Sequence, residues 1–187
     1  MDENPTTQHD RICSYTLAGW LDTPLRRLFQ KPEKILTGLV KPGGTALDLG
    51  CGPGFFSLEM ARLVGENGRV IAVDLQPEML ERARRNAAHA GLLPRIQFHQ
   101  SAKDKIGLTT PVDFALAFWM LHEVPDKQAF LREVRGLLEP GGKFLLVEPV
   151  GHVNKAQFDV AVEQVRAAGL EPVSERKVSL SRAMVFA

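Results

Sequence analysis

The sequence predicts an open α/β fold, a mostly parallel β-sheet with helices on both faces, finished by an antiparallel hairpin. Three observations carry that prediction. Short apolar runs alternate with amphipathic segments from Thr45 to Ala168, the pattern of successive strand–helix units. The run Ala46-Leu47-Asp48-Leu49 leads directly into Gly50-Cys51-Gly52-Pro53-Gly54 and an amphipathic segment from Phe55. That is a buried strand feeding a tight turn into a helix. After Gly169, two extended segments, Pro172 to Val178 and Ser181 to Phe186, follow with no helix between them. Strands joined by so short a link pair antiparallel.

Taken in order, Met1 to Asp10 are polar and read as a tail. Ile12 to Phe29 carry Tyr15, Trp20 and several aliphatics, too much apolar surface to leave in water, and read as a cap closing over the glycine loop. Residues 1–31 are therefore expected to be tail and cap, and 32–187 the main domain. Pro32 opens a helix that runs to Val40 and is stopped by Lys41-Pro42-Gly43-Gly44. Strand one is Thr45 to Leu49, with a helix from Phe55 to Val64. Strand two is Arg69 to Val73, followed by a helix from Pro77 to His89 that Gly91 ends. Ile96 to His99 is a short third strand. Val112 to Phe118 is almost wholly apolar, as a central strand buried on both faces must be. The clearest helix is Asp126 to Leu138, with Phe130, Val134, Leu137 and Leu138 on one face and Pro140-Gly141-Gly142 after it. Strand five is Lys143 to Val147, and the last helix runs from Asn154 to Ala168.

The 187 residues suit one α/β domain. Lys and Arg number 23 against 22 Asp and Glu, a net charge of +1, so no basic excess points to nucleic acid. Arg82, Arg84 and Arg85 are interleaved with Glu78 and Glu81 and read as a solvated helix face. Cys13 and Cys51 make neither a disulfide framework nor a zinc site. No basic stretch leads into an apolar run at the start, and no run is long enough to span a bilayer. A cytoplasmic protein with no metal and no membrane or nucleic-acid partner is expected.

The chemistry concentrates where strands one and two end. Glycines at 50, 52 and 54 let the backbone turn sharply and approach a ligand closely, and the helix start beyond them aims free amides at an anionic group. About twenty residues later a second apolar run ends in Asp74, placed to hold two ribose hydroxyls. A dinucleotide fingerprint needs a third glycine where Phe55 stands. The pattern Asp48-x-Gly50-x-Gly52-x-Gly54, with Asp74 at its offset, instead resembles the class I S-adenosylmethionine-dependent methyltransferases, from Lys34 to the end. It is most similar to the small-molecule branch that includes ubiquinone and menaquinone biosynthesis enzymes. The resemblance implies a seven-stranded Rossmann-like methyltransferase sheet with one strand reversed, and S-adenosylmethionine as cofactor.

On that resemblance Asp74 accepts from the ribose hydroxyls, and Gly50, Gly52 and Gly54 bring backbone against the methionine half. Asp48 helps hold the cofactor's amino group, and Leu75 and Met79 cover adenine, Met79 having a core role as its alternative. The branch often follows strand three with Gly-Asp-Ala. This chain has Gln100-Ser101-Ala102, so Ser101 and Ala102 stand at the adenine edge, and Asp104 falls too late to replace the missing acid. At the tip of strand four, Trp119 or Phe118 can face the sulfonium. His122 is the candidate general base, bracing of the loop being its alternative role, with His152 a second candidate and His89 a surface residue.

Absences narrow the acceptor. No Asn-Pro-Pro-Tyr tetrad for amino groups follows strand four, no Asp-Asp-Asn metal set is present, and two cysteines do not supply a thiol set for arsenite. Methylation of carbon, oxygen or sulfur on a small molecule remains. A non-catalytic cofactor-binding module stays open as an alternative, as does a nicotinamide oxidoreductase, which Phe55 and the terminal hairpin oppose.

Overall fold

The computed structural model describes residues 30–187. The expected cap, Ile12 to Phe29, lies outside the described residues. The elements are α1 (Pro32–Leu36), β1 (Thr45–Leu49), α2 (Phe55–Val64), β2 (Arg69–Asp74), α3 (Pro77–His89), β3 (Ile96–Gln100), β4 (Val112–Phe118), α4 (Lys127–Leu137), β5 (Leu138–Pro149), α5 (Lys155–Ala167), β6 (Pro172–Glu175) and β7 (Ser181–Phe186). They form one seven-stranded sheet in the order β3-β2-β1-β4-β5-β7-β6. The strands are parallel except where β7 pairs antiparallel with both β5 and β6. The expected fold, six strands one way and one reversed, is the fold observed.

Period-two alternation builds both faces of the sheet. On β4, Phe114, Leu116 and Phe118 join Phe56, Met60 and Val64 of α2 and Leu80 of α3 in one core. Ala115 and Ala117 point the other way, to Leu131, Val134 and Leu137 of α4 and Phe158 and Val165 of α5. The strand is therefore apolar at every position but Asp113, which is only half-buried and accepts from Thr45 N at 2.9 Å. Helix starts follow local chemistry: Pro at the first turn of α3, Asp126 accepting from Ala129 N at 2.9 Å to open α4, and an Asn154–Gln157 capping box on α5.

Three boundaries differ from expectation by more than two residues. Helix α1 ends at Leu36 rather than Val40, because Thr37 leaves the helix at ψ 128° and Gly38 takes φ 76°. Helix α4 ends at Leu137, because Leu138 turns extended and pairs with Val112. The ladder then skips to Phe114 with Lys143, so Glu139–Gly142 is an excursion within β5 rather than the gap before it. Burial decides this: Leu138 is 6% exposed in the α4–α5 core. Strand β6 stops at Glu175, short of Val178. Beyond it the Arg176 guanidinium donates to Lys34 O and Thr37 O at 2.8 and 2.7 Å, and Val178 turns into the core beside α1 and α2.

Strand order reverses between β1 and β4. In open α/β sheets the crevice beyond the carboxyl ends of such strands takes the ligand.

Candidate functional site

Three strand tips meet at this crevice. The loop after β1 is held by its neighbours: Cys51 N donates to Val73 O at 2.8 Å, and Asn86 Nδ2 of α3 donates to Pro53 O at 3.0 Å. Gly50, Gly52 and Gly54 all have positive φ, at 65°, 52° and 90°. Their surroundings differ. A Cβ on Gly50 would lie 3.0 Å from Met120 Cβ, and one on Gly54 3.2 Å from Ala83 Cβ. A Cβ on Gly52 would meet nothing within 4 Å. Gly50 and Gly54 are thus glycines of packing, while Gly52 borders open space.

Asp74, at the tip of β2, closes that space on one side. Its Oδ2 accepts from Gly52 N at 2.8 Å and its Oδ1 from Gln76 N at 2.9 Å. The side chain sits in a residue only 8% exposed, and burial pushes its carboxyl up, against the pull of the Gln76, Gly52 and Leu75 amides. Each carboxylate oxygen accepts from more than one donor, so a pair of hydroxyls can be added without displacing the loop. Open room beside Gly52, next to an acceptor-only group with spare capacity, fits the ribose of an adenosyl cofactor.

Asp48 is 2% exposed and its Oδ2 accepts from Ser57 Oγ of α2, a partner that the sequence reading did not identify. Leu75 is half-buried, whereas Met79 is 5% exposed within α3. Ser101 N continues the β2–β3 ladder by donating to Asp74 O at 3.1 Å, which brings Ser101 alongside the β2 tip. Ala102 is exposed and turns back to Lys105 O. Gln100 Nε2 donates to Leu75 O at 3.3 Å.

The β4 tip departs from simple extension. Trp119 adopts φ 61°, a left-handed conformation costly for a bulky residue. Its indole Nε1 donates to Ser181 Oγ of β7 at 2.9 Å, and its ring lies 5.2 Å from Phe118. The turn hands the approach to the glycine loop to Met120 instead. His122 follows in a single 3₁₀ turn, Leu121–Glu123. Its Nδ1 lies 2.6 Å from Glu148 Oε2, and its backbone N donates to Glu148 Oε1 at 3.0 Å. Glu148, on β5 and 1% exposed, is the most consequential residue missed at the sequence level. Its only local signal was an acid ending an apolar strand, as Asp48 and Asp74 do. His152 packs edge-on to His122 with ring centroids 5.7 Å apart, and His89 is exposed on α3.

Among the described residues no group of three or more His, Cys, Asp or Glu could hold a metal ion, and no helix is long and apolar enough to cross a membrane. A groove of about 1190 Å³ runs between α5 and the β6–β7 pair, past Phe158, Arg176 and Met184. Neither the glycine loop nor Asp74 lines it, so its size does not make it the site.

Comparisons with known proteins show the family and the fold. The family model described as "Methyltransferase domain" matches residues 40–177. The ubiquinone biosynthesis O-methyltransferase of Xanthomonas euvesicatoria is 34% identical over 116 residues, covering 61% of this chain and 46% of that protein. The ubiquinone/menaquinone biosynthesis C-methyltransferase of Klebsiella pneumoniae is 32% identical over 110 residues, covering 58% and 44%. The chain thus spans less than half the length of these two curated relatives. Among solved structures, a SAM-dependent methyltransferase from Aquifex aeolicus superposes with a TM-score of 0.83 at 26% identity, over 92% of this chain and 97% of that one.

Proposed function

This chain belongs to the class I S-adenosylmethionine-dependent methyltransferases, and from that premise we propose that it methylates a small-molecule acceptor held over the tips of β4 and β5. The observation that carries the cofactor half is the Asp74 carboxylate tied to Gly52 N beside open space. Asp74 would hold the ribose hydroxyls, Gly50, Gly52 and Gly54 the methionine half, and Asp48 with Ser57 the amino end. Leu75 and Ser101 border the adenine position, with Ala102 beyond Ser101 at the exposed rim and Met79 behind in the core.

The cofactor supplies a methyl group already activated by the positive charge on its sulfur. The chain's own residues therefore have to align the acceptor and exclude water, which can supply roughly 7–11 kcal/mol of a barrier. The small-molecule acceptor rests on the relatives, both named for methylation in quinone biosynthesis, and on a net charge of +1, which gives no field for a polyanion. A cytoplasmic location is part of the same reading.

Calorimetry with S-adenosylhomocysteine and with NAD, followed by incubation of the protein with S-adenosylmethionine and a protein-free metabolite extract, tests this reading. Tighter binding of S-adenosylhomocysteine and its formation in the extract are expected. Equal or tighter NAD binding, or formation only when protein or nucleic acid is added back, would overturn it.

A further inference from the structure

Resting on that methyltransferase reading, we propose that Glu148 is a positioning residue that holds His122 with its proton on Nδ1 and its lone pair on Nε2, and that the acceptor presents a hydroxyl whose proton Nε2 removes. Glu148 makes two bonds to one residue. Oε1 takes the backbone N–H of His122 at 3.0 Å, and Oε2 meets Nδ1 at 2.6 Å. An ionised carboxylate only accepts, so Nδ1 is the donor and the neutral ring leaves Nε2 as the base. Bracing the 3₁₀ turn requires only the backbone bond. The second oxygen fixes the ring itself, as an orienting carboxylate does in other His-based sites.

Four titratable groups lie around the ring. Glu148 comes from β5, Glu123 Oε1 lies 3.9 Å from Nε2 within the same turn, Lys127 begins α4, and His152 stands edge-on after β5. The hydrogen bond from Glu148 is the largest influence and raises the imidazole above its ordinary value. Burial opposes it, the Glu148 and Glu123 charges add to it, and Lys127 subtracts. A base so strengthened suits an acceptor that must lose a proton. A thiolate or a pre-formed carbanion needs no such base.

The position is also right. Met120, two residues before His122, abuts Gly50, and His122 therefore stands at the crevice between the β1 and β4 tips. Two residues beyond Glu148, Val150 is 44% exposed and its N donates at 3.0 Å to the O of Leu180, which is 65% exposed. These two exposed apolar side chains, next to the Pro149–Ser181 pair, make an apolar shelf at the end of β5 and β7. An apolar ring bearing a hydroxyl matches a shelf of that kind next to a base. In the step, the acceptor oxygen gives its proton to His122 Nε2 and an electron pair to the methyl carbon, the pair of the broken carbon–sulfur bond staying on sulfur. The products are a methyl ether, the neutral thioether and a protonated imidazole, which returns its proton to water.

Imidazole ¹⁵N NMR on the full chain reads the tautomer without any acceptor. The wild type is expected to show the Nδ1–H form and to titrate above about 6.5, the ordinary histidine value. Glu148→Gln carries a built-in inversion. Its amide oxygen must stay on the backbone N–H of His122, so its NH₂ faces Nδ1. The neutral ring should then switch to Nε2–H and titrate lower, with S-adenosylhomocysteine affinity changed by less than about threefold. A wild-type ring in the Nε2–H form, or a titration that Glu148→Gln does not move, overturns the proposal, and the first of these requires no variant to fold.

Labelled-methyl transfer to 2-naphthol and 2-naphthalenethiol supplies the second arm. Transfer to naphthol should rise with pH through the imidazole titration. His122→Asn should lower it by about 10²–10⁴-fold while changing transfer to the thiol by less than about threefold. Naphthol transfer indifferent to His122, thiol transfer alone, or transfer to neither probe overturns the hydroxyl assignment. Failure of S-adenosylhomocysteine to bind the wild type would instead overturn the underlying methyltransferase reading.

Discussion

Asp74 Oδ2 and Gly52 N are 2.8 Å apart, so the acid ending β2 is bonded to the middle of the loop that ends β1. The crevice is thereby assembled before any ligand arrives, and a carboxylate is held in it at 8% exposure. Pre-assembly of this kind reduces the ordering cost of binding.

Asp74→Asn separates the two roles of that acid. Burial holds its carboxyl above the ordinary value, so the charged form is disfavoured in the folded chain and its stability contribution is lost as pH rises through that raised value. The neutral amide escapes that burial cost, but its NH₂ must face either Gly52 N or Gln76 N, leaving one backbone donor unmet at about 1–3 kcal/mol, so it should melt below wild type at pH 7.5. It keeps one acceptor oxygen of two, and a hydrogen bond to a charged group contributes about 1.5–3 kcal/mol, so S-adenosylhomocysteine affinity should fall about 10- to 100-fold by calorimetry. An unchanged affinity would remove Asp74 from the cofactor site.

Alanine at the loop glycines should divide them by role. Gly52→Ala faces open space and should lose only the left-handed backbone cost, about 1–2 kcal/mol, yet its methyl group would occupy the cofactor's side of the loop and abolish binding. Gly50→Ala adds a contact at 3.0 Å with Met120 Cβ to the same cost and should be the less stable of the two. Thermal melts alongside calorimetry check both, and Gly52→Ala with wild-type affinity would count against the site.

His122 should make folding depend on pH in a specific direction. Its imidazole is raised in the folded chain, first by the bond from Glu148, so its contribution is complete below about 6.5, the unfolded value, and disappears as pH rises through the folded one. The stability difference between wild type and His122→Asn, from urea titrations, should shrink steadily from pH 6 to pH 9. A difference that is flat or grows over that range would contradict the pairing.

Ser181→Ala should loosen the β4 tip. It removes the acceptor of Trp119 Nε1 at 2.9 Å, a loss of about 1 kcal/mol, and frees an indole held in a left-handed backbone. In a Trp20→Phe background, Trp119 emission should move to longer wavelength and unfolding should come earlier. Unchanged emission would mean the bond is not formed in solution.

The glycine loop, Asp74 and the strand order were legible because each is written in neighbouring residues: an apolar run, a turn, and an acid at its end. The pairing of His122 with Glu148 was not. The two are separated by 26 positions and a whole helix, and only the β4–β5 register brings them together. The backbone at Trp119 was not legible either. Simple extension of β4 does not foresee φ 61°, with the indole bonded to Ser181 and Met120 against Gly50. Residue preference argues against that backbone, so nothing in the sequence announces it.

The reversed strand imposes an order on the chain's own manufacture. Strand β6 touches the rest of the sheet only through β7, and β7 lies between β5 and β6. A nascent chain emerging amino end first can complete the crevice between β1 and β4 while Ser181–Phe186 is still inside the ribosome. During that interval the outer edge of β5 is bare, along Phe144–Pro149, where Phe186, wholly buried in the finished sheet, will settle. An unpaired apolar edge invites association with other chains. The growing polypeptide is therefore most exposed to aggregation and to chaperone capture until Ser181–Phe186 emerges and pairs with β5.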